Sequence, residues 1–267
     1  MIIIGEKING FIPSTLKAIE ARDDSYIKEL AEKQSEYGSS YIDVCAGTDP
    51  GTEHDTLEWL IGLVQETTDT PLSIDSSDVS TIIDMLPLAN KPGLINSVSG
   101  EGEKCDKLFP VIADTAWNVV ALTCDDENGI PTDPKVKAKI AGDIIEKAAG
   151  AGISQERLFI DPLVTTLATT ADALASFGDA VSIIKEKYPD VHITSGLSNI
   201  SYGLPYRRSI NRVFLTLAMS AGMDSAILDP TAEDMRAAIY ATEALLGKDD
   251  YCMNYLTAFR NGAIGQQ

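Results

Sequence analysis

Residues Val191–Arg208 read VHITSGLSNISYGLPYRR. A short strand at His192–Thr194 gives way to a loop with two glycines, several hydroxyls, the amide Asn199, a proline and the adjacent Arg207 and Arg208. A helical pattern starts at Ser209. A loop this polar between a strand and a helix is where α/β folds keep their chemistry. Taken alone, it also fits an ordinary turn with two solvated arginines. Asn199-Ile200-Ser201 is formally a glycosylation acceptor, which carries little weight in a chain with no other mark of secretion.

Outward from this stretch the same unit repeats. Apolar runs predict strands at Ile2–Gly5, Tyr41–Cys45, Leu72–Ile74, Gly93–Ile95, Val119–Thr123, Leu158–Ile160, His192–Thr194 and Ala226–Leu228. They are apolar nearly throughout rather than alternating, as parallel strands covered by helices are. Helical patterns lie between them, at 14–37, 52–67, 77–86, 103–115, 133–149, 172–188, 209–221 and 232–246, with a short extra helix at 251–260. Gly38, the Gly150–Gly152 stretch and Pro189-Asp190 supply the stops. Eight strand–helix units in strict alternation predict an α/β fold of the (β/α)8 TIM-barrel type, one domain over residues 1–267.

Composition narrows the function. The chain has 267 residues, 44% hydrophobic content and a formal net charge of −19. That charge disfavours nucleic acid and anionic membrane surfaces. Cys45, Cys105, Cys124 and Cys252 are scattered, with no C-x-x-C, and His54 and His192 are the only histidines. No zinc set is expected, and free thiols fit a reducing cytoplasm. The opening MIIIGEK lacks the basic region of a signal peptide, and no apolar stretch is long enough for a membrane span. Ser99–Lys104 (SGEGEK) lacks phosphate-loop spacing.

In a TIM barrel the chemistry sits at the C-terminal ends of the strands. Those positions here hold Glu6, Asp43, Asp75, Asn96, Thr123, Asp161, the Ser198–Asn199 pair and Asp229. One or two would pass as helix caps, and Asp75 and Asp161, preceding Ser76 and Pro162, have that reading open. Eight form a ring of acceptors and amides. No lysine ends strands two to eight, which argues against a Schiff-base aldolase. Lys7 is the exception, and an ion-pair role suits it. Cys45 and Cys124, without a histidine nearby, suit small core residues. A carboxylate can accept two donors of an aminopyrimidinone edge, and an Asn can meet a donor and an acceptor together. A pterin presents such an edge.

The segments IIIGEKING (Ile2–Gly10), LSIDSS (Leu72–Ser77), LINSVS (Leu94–Ser99), KLFP (Lys107–Pro110), LFIDPL (Leu158–Leu163), GLSNIS (Gly196–Ser201) and RRSINRVFL (Arg207–Leu215) together resemble the methyltetrahydrofolate:corrinoid methyltransferase family. That family includes the folate domain of cobalamin-dependent methionine synthase. The resemblance runs over nearly the whole chain and implies a pterin-binding TIM barrel, a homodimer, in the cytoplasm. It implies methyl transfer, in either direction, between N5 of tetrahydrofolate and the cobalt of a corrinoid (cobalamin) held by a partner protein. One such direction is methylcorrinoid to tetrahydrofolate in the catabolism of methylated amines. Matched residue by residue, Asp75, Asn96 and Asp161 correspond to pterin anchors and Asn199 to the catalytic residue that hydrogen-bonds near N5. Arg207 corresponds to a contact to the folate beyond the ring. Gly196 and Ser198 shape the floor, supported by Glu6 and Asp43, and no metal is implied. Tyr202 lines the same loop and departs from the polar residue more usual there. The rivals are a dihydropteroate-synthase-like pterin enzyme, whose strand-one loop and strand-seven lysine motifs are missing here, and a folate- or corrinoid-binding barrel without catalysis. A barrel lyase of another family is disfavoured by the lack of a lysine or a metal set.

Overall fold

The eight apolar runs are eight parallel strands: β1 (Ile2–Asn9), β2 (Tyr41–Cys45), β3 (Leu72–Asp75), β4 (Leu94–Gly100), β5 (Asn118–Asp125), β6 (Leu158–Asp161), β7 (His192–Ile193) and β8 (Ser225–Leu228). The computed structural model describes residues 1–265. Strands pair in the order β7-β6-β5-β4-β3-β2-β1-β8. The seam between β7 and β8 is closed by a parallel bridge, Gly196 to Ile227, and by the Ile227 N–H donating to the Ser195 carbonyl at 3.0 Å. This is the closed barrel that the alternation predicts. Helices α1 (Pro13–Ala21), α2 (Asp24–Glu36), α3 (Pro50–Thr67), α4 (Val79–Met85), α5 (Lys104–Ile112), α6 (Pro134–Gly150), α7 (Ala173–Lys187), α8 (Arg207–Ala221) and α9 (Glu233–Leu245) surround it, and α10 (Met253–Arg260) packs on α9.

Alternate residues of each strand face outward, where Ile3, Ile42, Val44, Ile74, Ile95, Val119, Leu158 and Ile160 join one apolar core with the helices. The intervening residues face the barrel axis. Ile4, Leu94, Val120 and Phe159 form a separate cluster there, completed by Ile2, Tyr41, Leu122 and Ile227. Register carries polar residues to the top of this plug: Asp43 lies opposite Ser73, Asp75 opposite Asn96, and Leu122 opposite Asp161. Below it, at the N-terminal end, the Tyr41 hydroxyl accepts from Asn118 Nδ2 at 3.0 Å and His192 Nδ1 bonds Asp224 Oδ2 at 2.9 Å.

Two elements depart from expectation. The single helix expected over residues 14–37 is two, because Arg22 takes a left-handed φ of 50° and Asp23 restarts the chain by accepting the Tyr26 N–H. An aspartate at such a position competes with helix continuation by capping a new one. Strand β1 runs past Gly5 to Asn9 through a register shift between Gly5 and Ile8. It brings Asn9 to the mouth, where Gly10 meets the β2 strand end: a Cβ there would lie 2.0 Å from the Ala46 carbonyl oxygen. All four cysteines are free, and Cys45 and Cys124 are buried core residues.

Candidate active site at the barrel mouth

The inward-facing ends of β1–β4 and the loops after β7 and β8 enclose a cavity of about 960 Å³. Glu6, Asp43, Asp75, Asn96, Gly196, Ser198, Asn199, Tyr202 and Arg207 all line it. Its size falls in the usual range for small-ligand sites, about 300–1,000 Å³.

The floor is acidic and dry. Asp43 is 1% exposed; its Oδ1 accepts from Ser73 Oγ at 2.6 Å and from Asn96 Nδ2 at 3.2 Å. Burial pushes its carboxyl up to about 6 despite those two donors. Asp75, next to it, is pushed well above the ordinary carboxylate range by burial and then by the Asp43 charge. Glu6 is raised to about 7, by burial and by the charge of Asp229, against the pull of Lys7. Two neighbouring buried carboxyls resist ionising together, which helps keep Asp75 above its ordinary range. The capping alternative for Asp75 is settled: α4 is capped by Asp78, whose Oδ1 accepts the Ser80 N–H at 3.1 Å.

Asp161 sits apart from that wall. It is 4% exposed, does not line the cavity, and accepts the Leu163 N–H at 2.8 Å and the Gly196 N–H at 3.2 Å. It caps no helix, since α7 starts at Ala173. It ties the β7 loop to the end of β6, and burial pushes its carboxyl up to about 6.

That loop forms a short 3-10 turn, Leu197–Ser201. The Ser198 carbonyl accepts from Arg207 Nη2 at 2.7 Å; the Ser201 hydroxyl accepts from Arg207 Nε at 3.0 Å and donates to Asn211 Oδ1 at 2.6 Å. Arg207 therefore braces the loop, with Tyr202 beneath its guanidinium at 5.9 Å. Asn199 is exposed on the cavity side and, among the described residues, its amide has no hydrogen-bond partner. A Cβ at Gly196 would stand 3.0 Å from Asn199 Nδ2, so glycine lets the amide lie over the loop. Lys7 pairs with Asp229 at 3.2 Å, the ion-pair role expected of it.

Sequence reasoning passed over four contributors. Asn9 and Phe11 line the mouth because β1 is longer than its apolar run. Asn211 braces Ser201 from α8. Lys137 is 1% exposed and donates to the Leu163 carbonyl at 3.0 Å, beside Asp161. A signal for it was present: Lys137 stands in phase with the buried Ile140, Ala141 and Ile144 of α6.

Comparison with known proteins agrees with this geometry. Residues 14–229 match the family described as pterin binding enzyme. The chain is 50% identical over 267 residues, 99% of its length and 98% of the relative's, to the methylcorrinoid:tetrahydrofolate methyltransferase of Eubacterium limosum. It is 30% identical to the methionine synthase of Mycobacterium tuberculosis, over 85% of this chain but 20% of that protein. Dihydropteroate synthases share the fold: that of Xanthomonas albilineans with TM-score 0.67 at 20% identity, covering 91% of each chain, and that of Yersinia pestis with TM-score 0.63 at 17% identity, covering 92% of this chain and 94% of that one.

Proposed function

From the premise that the chain belongs to the pterin-binding enzyme family, on the branch of the methylcorrinoid:tetrahydrofolate methyltransferases, we propose that the cavity at the mouth of β1–β4 and β7 is where its methyl transfer takes place. The protein is a methyltransferase that moves a methyl group between N5 of tetrahydrofolate and the cobalt of a corrinoid carried by a partner protein. One observation carries the siting: Asp43, Asp75 and Asn96, on three adjacent strands, form a buried, acceptor-rich wall along one side of a cavity of ligand size.

A pterin fits that wall. Its aminopyrimidinone edge offers several N–H donors in a plane. Asp75, and Asn96 through its oxygen, accept them, while Asp43 holds the Asn96 amide in register. Asp161 anchors the pterin indirectly, through the Gly196 N–H that sets the height of the β7 loop. Gly196 and Ser198 make the floor under the second ring, Glu6 supports it, and Tyr202 and Arg207 meet the folate beyond the pterin.

Asn199 is the catalytic residue of this proposal. A tertiary amine leaves poorly unless its nitrogen gains a proton or a strong hydrogen bond. An amide does not titrate, but one oriented at N5 stabilises the developing N–H, and in reverse it orients the free N5 lone pair. The corrinoid supplies the cobalt that gives or receives the methyl group; the chain's own part is to bind, orient and hold a proton.

The same reading treats the chain as one pterin-binding domain over residues 1–267, of which 266 and 267 lie outside the described residues. No helix of the described residues is long and apolar enough to cross a membrane. Free cysteines support a cytoplasmic setting. A homodimer is supported by exposed apolar side chains at the C-terminal end of α9 and just after it, Leu245 at 83% and Tyr251 at 94%.

The test is to mix the protein with methylcobalamin and tetrahydrofolate, follow the corrinoid spectrum, and assay methyltetrahydrofolate in step with its change. Folate binding without transfer, in either direction, would leave a non-catalytic barrel. Condensation of a pterin diphosphate with p-aminobenzoate would make the chain a dihydropteroate synthase.

A further inference from the structure

A second cavity, about 520 Å³, lies between α8, α9 and α10. Arg208 lines both this cavity and the active-site cavity, so the two adjoin at that side chain. Arg208 itself is held in place: its Nε and Nη2 each donate to Asp234 at 2.6 Å. One helical turn further along α8, Arg212 lines the second cavity, is exposed, and makes no ion pair among the described residues. Residues four apart on a helix share a face. Tyr255 and Phe259 of α10 form an apolar wall opposite, and Ile264 and Gly265 close the far end.

We propose that this second cavity is a subsite for the γ-linked glutamate tail of the folate, with Arg212 as its carboxylate anchor. The proposal rests on the siting of methyl transfer in the first cavity. A folate whose pterin faces Asp75 and Asn96 points its p-aminobenzoyl-glutamate end toward Arg207 and Arg208, where the first cavity meets the second. Each added glutamate brings one carboxylate on a short apolar stem. Tyr255 and Phe259 can cover the stems, and a guanidinium takes a carboxylate in a two-point fork. Elsewhere the surface of a chain with formal net charge −19 repels such a tail. Within the cleft, Glu233 and Asp234 limit how many anions fit: Asp234 already occupies Arg208, and the Glu233 carboxylate accepts the Gly265 N–H at 2.7 Å. Arg212, whose charge also acts on Asp234 but which forms no ion pair with it among the described residues, is left as the cation facing a ligand, which predicts a short tail preference, not an open-ended one.

The experiment compares tetrahydropteroyl monoglutamate with the triglutamate, by calorimetric binding and by methyl transfer from methylcobalamin, on the wild type and Arg212→Gln. The triglutamate should bind the wild type on the order of tenfold tighter than the monoglutamate. Arg212→Gln should erase that advantage while leaving monoglutamate affinity, monoglutamate transfer rate and melting temperature unchanged. Equal affinity of the two folates for the wild type overturns the subsite, as does an advantage that survives Arg212→Gln. If Arg212→Gln instead slows transfer from the corrinoid protein with folate affinities unchanged, the cleft is a protein contact and the subsite is also overturned. Failure of the underlying siting looks different: in that case Asp75→Ala leaves the affinity for both folates unchanged.

Discussion

Asn96 reaches from β4 over β3 to β2, where its Nδ2 donates to Asp43 Oδ1 at 3.2 Å. The contact engages one of the amide's two N–H donors and fixes which way the amide is turned, with its oxygen directed away from Asp43. An asparagine whose amide could otherwise lie either way round is thereby held in one orientation.

The first prediction concerns that wall. Asn96→Ala and Asp75→Ala should each weaken tetrahydrofolate binding by about 1–3 kcal/mol, the cost of leaving a buried donor unpaired. Asn96→Asp should be worse than Asn96→Ala, because it sets a third carboxyl against Asp43 and Asp75. Calorimetric titration orders the three variants; unchanged affinity in both alanine variants removes the wall from the folate site.

A pH dependence follows from the raised carboxyls. Asp and Glu titrate near 4 in an unfolded chain, whereas burial places Asp43 and Asp161 at about 6 and Glu6 at about 7. Over that interval the folded state binds more protons than the unfolded one. The contribution of these groups is therefore complete below about 4 and lost as pH rises toward 7. Asp224 works the other way: burial opposes its charge, but the His192 and Ile193 hydrogen bonds win and hold it below its ordinary value. Urea midpoints across pH 4.5–7.5 should fall less steeply in Asp43→Asn than in the wild type, a pH span set by the ordinary and raised carboxyl values. Parallel profiles would mean that Asp43 ionises normally. Pterin donors favour the ionised form, so binding near pH 6, where burial places the Asp43 carboxyl, should release protons, readable as heats that differ between buffers of unlike ionisation enthalpy.

Asn199 should matter to rate more than to affinity. With its amide at N5, as proposed, the contact would strengthen as N5 gains its proton and so favour the transition state over the ground state. Asn199→Ala should slow single-turnover transfer by roughly ten- to a thousand-fold, the scale for one oriented hydrogen-bonding group, with a much smaller change in folate affinity. The amide has no partner to lose among the described residues, so the melting temperature should stay put. A stable variant with an unchanged rate takes Asn199 out of the mechanism.

Lys137 offers a test of indirect support. Burial lowers its ammonium below the usual lysine range, and the Asp161 charge opposes that fall. Lys137→Met keeps the stem and deletes the bond to the Leu163 carbonyl, leaving an unpaired acceptor worth about 1–3 kcal/mol. Stability should drop by that order. Folate affinity should drop too, because the Asp161 that holds Gly196 loses its nearby cation. Loss of stability with intact affinity would confine Lys137 to packing.

The parts legible in the sequence were those that repeat. Eight apolar runs in alternation with helices define a barrel, and position at a strand end is enough to find Asp43, Asp75 and Asn96. The parts that escaped depend on events a period cannot register. A register shift in β1 carries Asn9 to the mouth, though the apolar run ends near Gly5. The single aspartate Asp23 divides one helical pattern into two. Asp161 was found as a strand-end carboxylate, yet its neighbours Leu163, Gly196 and Lys137 come from three separate segments, a convergence that no local stretch encodes. The second cavity likewise joins one face of α8 to a C-terminal helix.

The apolar plug of Ile4, Leu94, Val120 and Phe159 makes the barrel a vessel with one opening. Asp43 and Asp75 stand just above that stopper, and His192 and Asp224 below it. On the proposed siting, proton traffic to N5 runs through the rim bounded by Phe11, Asn199 and Tyr202. On the same siting, that rim is where a corrinoid would dock to reach the folate. Docking and proton exchange then share one doorway, so the proton that N5 takes up on giving its methyl group, or releases on receiving one, has to cross the rim while the partner is not closing it.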